Sequence, residues 1–166
     1  MKVLGIDPGI STTGIAIVEK TPRGPTPLLV GVIRTPSDLA QAQRLSLLRT
    51  RLLEILDALR PDVAAVERLF FNANVKTAMA VGQASGVALA TCADRGLEVL
   101  HYTPTQVKQS VVGVGSADKK QVAVMVAAVL CLKEPPRPAD AADACALAIC
   151  HINRSGLSAA VQAASR

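Results

Sequence analysis

Hydrophobic positions change their period along the chain, and each change marks an element. Residues 2–7 (KVLGID) form an apolar run stopped by Pro8-Gly9, which predicts a first strand. In residues 12–19 (TTGIAIVE), Ile15 and Ile17 alternate with Ala16 and Val18, predicting a second. The segment TPRGPTP reads as turn chemistry throughout, and LLVGVIRT after it predicts a third strand. Short connections between three strands imply an antiparallel meander. The period then becomes helical. Leu45, Leu48, Leu52, Ile55, Leu56 and Leu59 recur up to Arg60-Pro61, behind Ser37-Asp38 as candidate caps.

A fourth strand is expected at DVAAVERLF, apolar enough to be buried on both faces. Residues 74–94 predict a second helix rich in alanine and glycine, and LEVLHY (97–102) a fifth strand. Beyond Pro104 come a short helix, the bend GVGSADKK, a helix from about Ala117 to Leu130, the link PPRP, and a last helix from about Ala139. Residues 1–155 read as one domain, and the Ala- and Ser-rich residues 156–166 as a flexible tail. Three antiparallel strands followed by alternating helix and strand make an α/β fold with a mixed five-stranded sheet flanked by helices. If the fourth strand lies parallel beside the first, the order is 3-2-1-4-5. Ligands of such sheets gather at carboxyl strand ends where connections change direction, here between strands one and four.

Composition adds bounds. The 166 residues are 50% hydrophobic, yet there is no Trp, two Phe and one Tyr, so the core must be aliphatic. No apolar run approaches the ~18 residues of a membrane span, and no signal-peptide pattern opens the chain, so a cytoplasmic location is expected. Cys92, Cys131, Cys145 and Cys150 form no Cys-x-x-Cys pair and are expected to be small buried hydrophobes. A net charge of +5 is a weak pointer to a polyanionic partner.

The acids change the picture more. Asp7 before Pro8-Gly9 suits ordinary turn chemistry. Glu67, however, interrupts an apolar strand, where only a partner such as Arg68 or Lys76 would excuse it. Asp140 and Asp143 in PADAADACALAIC could each cap the last helix, but a cap needs one acid. At i and i+3 they share a side of the helix start. If that helix lies near strands one and four, four carboxylates meet in one volume and require protons or cations. Mg²⁺ suits such hard oxygen ligands, and two ions about 4 Å apart could hold both the attacking and leaving oxygens of a phosphodiester. His101 and His151 have no evident nucleophile beside them, and GVGSADKK lacks the spacing of a phosphate loop.

Four stretches, VLGIDPGISTTGIAI, AVERLFFNAN, YTPTQVKQSVVGVGSADKKQV and PADAADACALAI, together resemble the bacterial RuvC family of crossover junction endodeoxyribonucleases over roughly residues 1–153. The resemblance implies a ribonuclease H-like fold and a homodimer that cuts Holliday junctions, four-way DNA intermediates of recombination and repair. It assigns the catalytic and metal-binding acids to Asp7, Glu67, Asp140 and Asp143. Phe70 matches a residue that probes bases near the crossover, and Lys108 and Lys119 match lysines serving DNA binding or catalysis. It further implies two Mg²⁺ per site, with Mn²⁺ as a candidate substitute, and the branch-migration proteins RuvA and RuvB as partners. Arg68, Phe71 and Lys120 depart from the family pattern around these residues. Read without the resemblance, Phe70 or Phe71 could be core and both lysines solvated.

Three other readings remain at this point. IDPGISTTG also resembles the phosphate-binding hairpin of actin-like sugar kinases and chaperone ATPases, which need two such domains. A related nuclease could act on RNA–DNA hybrids or other branched DNA. A non-catalytic DNA-binding module would bind junctions without nicking them.

Overall fold

The computed structural model describes residues 1–68 and 75–164, with side chains described for 1–68 and 78–156. In chain order the elements are β1 (Lys2–Asp7), β2 (Thr12–Thr21), β3 (Gly24–Arg34), α1 (Gln41–Leu59), β4 (Val63–Glu67), α2 (Val75–Asp94), β5 (Glu98–Tyr102), α3 (Pro104–Val112), α4 (Lys119–Val129) and α5 (Ala139–Ala164). The strands form one five-stranded sheet in the order β3-β2-β1-β4-β5. Pairing is antiparallel from β1 through β3 and parallel from β1 through β5. That is the mixed sheet the hydrophobic pattern predicts.

Strand alternation sorts the two faces of this sheet. Val3, Ala16, Val18, Val63 and Ala65 point into a core with buried residues of α3, α4 and α5. Their neighbours Leu4, Ile6, Ile17, Ala64 and Val66 point the other way, onto Leu48, Leu52 and Leu56 of α1 and Ala84, Ala88 and Cys92 of α2. Each fully buried leucine contributes roughly 1.5–3 kcal/mol, so the period-two and period-3.6 patterns lock together across the sheet.

Several expectations are corrected. TPRGPTP is not turn throughout: only Pro22 and Arg23 separate β2 from β3. Pro25 and Pro27 pair with Lys20 and Val18, with a register shift at Ile17/Val18. An edge strand tolerates prolines because its outward positions need no ladder donor. Ser37 and Asp38 do not cap α1; they lie in a turn ahead of it, and Ala40 occupies the N-cap position. Cys131 is exposed rather than buried, because it lies just past α4 at φ 52 where the chain turns away. The backbone of α5 runs from Ala139 to Ala164. Among the described residues no helix is long and apolar enough to cross a membrane.

Candidate active site

The same alternation that builds the core positions two acids. Residues 3, 5 and 7 of β1 share a face, as do 63, 65 and 67 of β4, and both sets face α5. Asp7 and Glu67 therefore end adjacent parallel strands on one side of the sheet.

α5 brings the other two. It can lie against β1 and β2 because Gly5 and Gly14 lack side chains. A Cβ on Gly5 would overlap the Ala144 carbonyl, with its carbon at 2.9 Å. A Cβ on Gly14 would overlap the Asp140 carbonyl, at 2.5 Å from its carbon and 3.2 Å from the Asp7 Cβ. Gly14 is also the pairing partner of Asp7. The first turn of α5 is thereby set down beside the end of β1. Alanines at 141, 142, 144, 146 and 148, all buried, keep the helix close to the sheet. Glycines inside strands signal such close approaches, but which helix approaches is not written at those positions.

Two further helices bring cations. Thr103 caps α3: its Oγ1 accepts the Gln106 N–H at 3.2 Å, while Gln106 Oε1 accepts the Thr103 N–H at 2.9 Å. Asp118 and Gln121 form the same reciprocal box at the start of α4, both bonds 2.8 Å. Lys119 follows directly and donates from Nζ to Asp143 Oδ2 at 2.9 Å. Asp7, Glu67, Asp143, Lys108 and Lys119 line one cavity of about 80 Å³, floored by Val107, Val122 and Leu147. Asp140 is not part of that lining, but its charge bears on Asp7.

The electrostatics show that these groups share one volume. Burial pushes the Asp7 carboxyl up to about 7, and the Asp143, Glu67 and Asp140 carboxylates push the same way; Lys119 opposes them. Glu67 is raised by burial and by Asp143, again against Lys119. The hydrogen bond to Asp143 raises Lys119. Among the described residues, no three His, Cys, Asp or Glu side chains are gathered tightly enough to hold a metal ion unaided.

All four acids and both lysines thus meet at one site. Phe70 lies outside the described residues. Sequence reasoning missed Tyr102, whose hydroxyl lies 2.7 Å from His151 Nδ1 in a buried contact beside Glu67's pairing position. Burial raises the Tyr102 pKa and lowers that of His151, so both stay neutral near pH 7.

A mixed sheet in this order, with acids ending two adjacent inner strands and two more on a helix laid over them, defines a nuclease of the ribonuclease H-like class. The family described as crossover junction endodeoxyribonuclease RuvC matches residues 3–151. The chain belongs to the RuvC family. Crossover junction endodeoxyribonuclease RuvC of Leifsonia xyli subsp. xyli is 49% identical over 160 residues, covering 96% of this chain and 77% of that protein. The structure of Thermus thermophilus RuvC matches with a TM-score of 0.88 and 37% identity, over 95% of this chain and 97% of that one. T. thermophilus RuvC in complex with Holliday junction substrate matches at TM-score 0.87 and 35% identity, over 95% and 96%.

Proposed function

We propose that this chain resolves Holliday junctions in DNA recombination and repair, as a homodimer that makes paired symmetric nicks. The observation that carries the reading is that Asp7, Glu67 and Asp143 line one cavity while the charge of Asp140 bears on Asp7 from the same helix start. Among the described residues one ammonium, that of Lys119, pairs directly with these acids, and Asp7 holds its proton up to about 7. That donor set fits Mg²⁺, which takes hard oxygens and completes its shell with water and substrate phosphate. Asp7 and Glu67 would hold two ions from the sheet, with Asp140 and Asp143 completing the set from the helix; Mn²⁺ is the expected substitute. The bound metal would supply a nucleophilic water and stabilise the departing 3′ oxygen.

The remaining roles belong to the chain's own side chains. Lys108 and Lys119 neutralise phosphates beside the cut, and Lys119 leaves Asp143 to do so. Phe70 probes the bases at the crossover. One site makes one nick, and a two-fold dimer presents two sites to strands of like polarity. The outer side of α2 is the surface assigned to the second copy, since Met79 is 62% exposed there and a Cβ at Gly86 would meet nothing within 4 Å. RuvA and RuvB would deliver the junction in the cytoplasm, with residues 1–155 acting as the nuclease domain.

A mobile four-way junction with Mg²⁺ tests the reading. Wild type should give paired nicks, and Asp7→Asn should bind the junction without cutting it. Undiminished cleavage by Asp7→Asn would remove the mechanism, and binding without nicking by wild type would leave only a junction-binding module.

A further inference from the structure

The turn between β1 and β2, which follows Asp7, is held by a residue outside the acid cluster. Arg44, in the first turns of α1, donates from Nε to Thr35 Oγ1 at 3.0 Å and from Nη2 to Ser11 Oγ at 2.7 Å. Nη2 also reaches the Thr35 carbonyl at 3.5 Å. Thr35 in turn donates its hydroxyl to the Ile10 carbonyl, and its N–H to the Ser11 carbonyl at 3.2 Å. Thr35 is 6% exposed, so the arrangement is anchored from beneath.

Every acceptor in this network is neutral. Among the described residues no carboxylate pairs with Arg44, and its Nη1 donates to none of them. The Ser11 hydroxyl accepts from Arg44, which leaves its own proton free to donate outward. The first turn of α1 carries no acid, and Ala40 at its N-cap offers no side-chain cap. Positive charge and unused donors therefore gather at one exposed rim, a composition suited to an anion with several acceptor oxygens. Ser11 lies four positions after Asp7, so their Cα atoms are within about 14 Å of each other. That is a few nucleotides along a DNA strand, at ~3.4 Å of axis per phosphate.

We propose that Arg44 and Ser11 form a binding station for a DNA backbone phosphate on the strand that enters the acid cluster. The inference rests on the nuclease reading and adds a substrate-binding site to it. Arg44 then has two duties: its Nε and Nη2 hold the turn, while Nη1 and the Ser11 hydroxyl face the phosphate.

The test is the salt dependence of binding to a four-way junction, measured in EDTA so that no cleavage occurs. Losing one phosphate contact should make the slope of log K against log salt shallower by about 0.9. Arg44→Gln should show that loss, and Arg44→Lys should keep the wild-type slope because the charge remains. Ser11→Glu, at an exposed position, gives the guanidinium an internal carboxylate and should reproduce the loss even if Arg44→Gln folds poorly. An unchanged slope in Arg44→Gln or Ser11→Glu overturns the inference, including when nicking falls, because Arg44 then only braces the turn. Failure of the wild type to bind the junction would instead sink the nuclease reading itself.

Discussion

Removing the charge of Asp7 should stabilise the metal-free protein, and the gain should depend on pH with a definite sign. The folded state holds this carboxyl at about 7 against an ordinary 3.8. Between those values the native state binds a proton that the unfolded chain has released, so stability falls as pH rises through the window and levels off above it. At ~1.36 kcal/mol per pH unit, the raised Asp7 pKa costs the folded protein about 4 kcal/mol at pH 8 and about 1.6 kcal/mol at pH 5, where the unfolded chain alone has released the proton. Asp7→Asn escapes this cost, but its buried amide forfeits roughly 1–2 kcal/mol of hydrogen bonding. The variant should therefore be ~2–3 kcal/mol more stable than wild type at pH 8, and nearly equal to it at pH 5. In urea, with slopes of about 1–3 kcal/mol/M, the midpoint should rise by on the order of 1 M at pH 8 in EDTA. Millimolar Mg²⁺ should then raise the wild-type midpoint and leave that of the variant in place, since binding to the native state stabilises by mass action. Equal midpoints at pH 8 in EDTA, or a gap that widens toward pH 5, would show that the four acids do not share the strain described.

Two other substitutions test the frame around the site. Gly14→Ala drives a methyl group into the Asp140 carbonyl, which only movement of α5 can relieve. Overpacking of this kind costs about 1–3 kcal/mol, so the melting temperature and the nicking rate should fall together; no change in either would contradict the close seating of α5. Tyr102→Phe removes the hydroxyl 2.7 Å from His151 Nδ1. Leaving that buried nitrogen without its partner should cost roughly 1–3 kcal/mol in chemical denaturation, and an unaltered midpoint would mean the contact contributes nothing.

The sheet was legible because its signals are local and periodic. Ile15 and Ile17 against Ala16 and Val18, and the leucines of α1 up to Leu59, state their elements without reference to the rest of the chain. Glu67 stood out for the same reason: an acid in an apolar strand needs an explanation that the strand cannot supply. Where the sequence misled, two local rules conflicted and tertiary context decided. Pro25 and Pro27 argue for turn, yet the edge of a sheet accepts them. Ser37-Asp38 suit a cap, yet the helix begins at Gln41. The Tyr102–His151 contact spans 49 residues and carries no pattern, so only the folded chain reveals it. Gly5 and Gly14 are intermediate: each reads as a point of close approach, but the identity of the helix above them is a property of the whole topology.

The placement of the acids explains why their mutual repulsion persists instead of relaxing. Carboxylates on a loop would swing apart into water, whereas burial first, and the neighbouring carboxylates after it, hold Asp7 and Glu67 up. Asp7 and Glu67 directly follow the fully buried Ile6 and Val66, and Asp140 is fixed by its own backbone against Gly14. Separating them would mean lifting α5 from the sheet and exposing its alanines. The partner seen among the described residues is weak: Lys119 approaches Asp143 with 78% of its side chain exposed, where solvent screens such pairs. Asp143 can therefore give up the ammonium at little cost, which leaves its carboxylate available to a metal ion should one bind. On this argument the hydrophobic core has a second effect beyond stability, because its stiffness keeps these acids together where a cation can meet them.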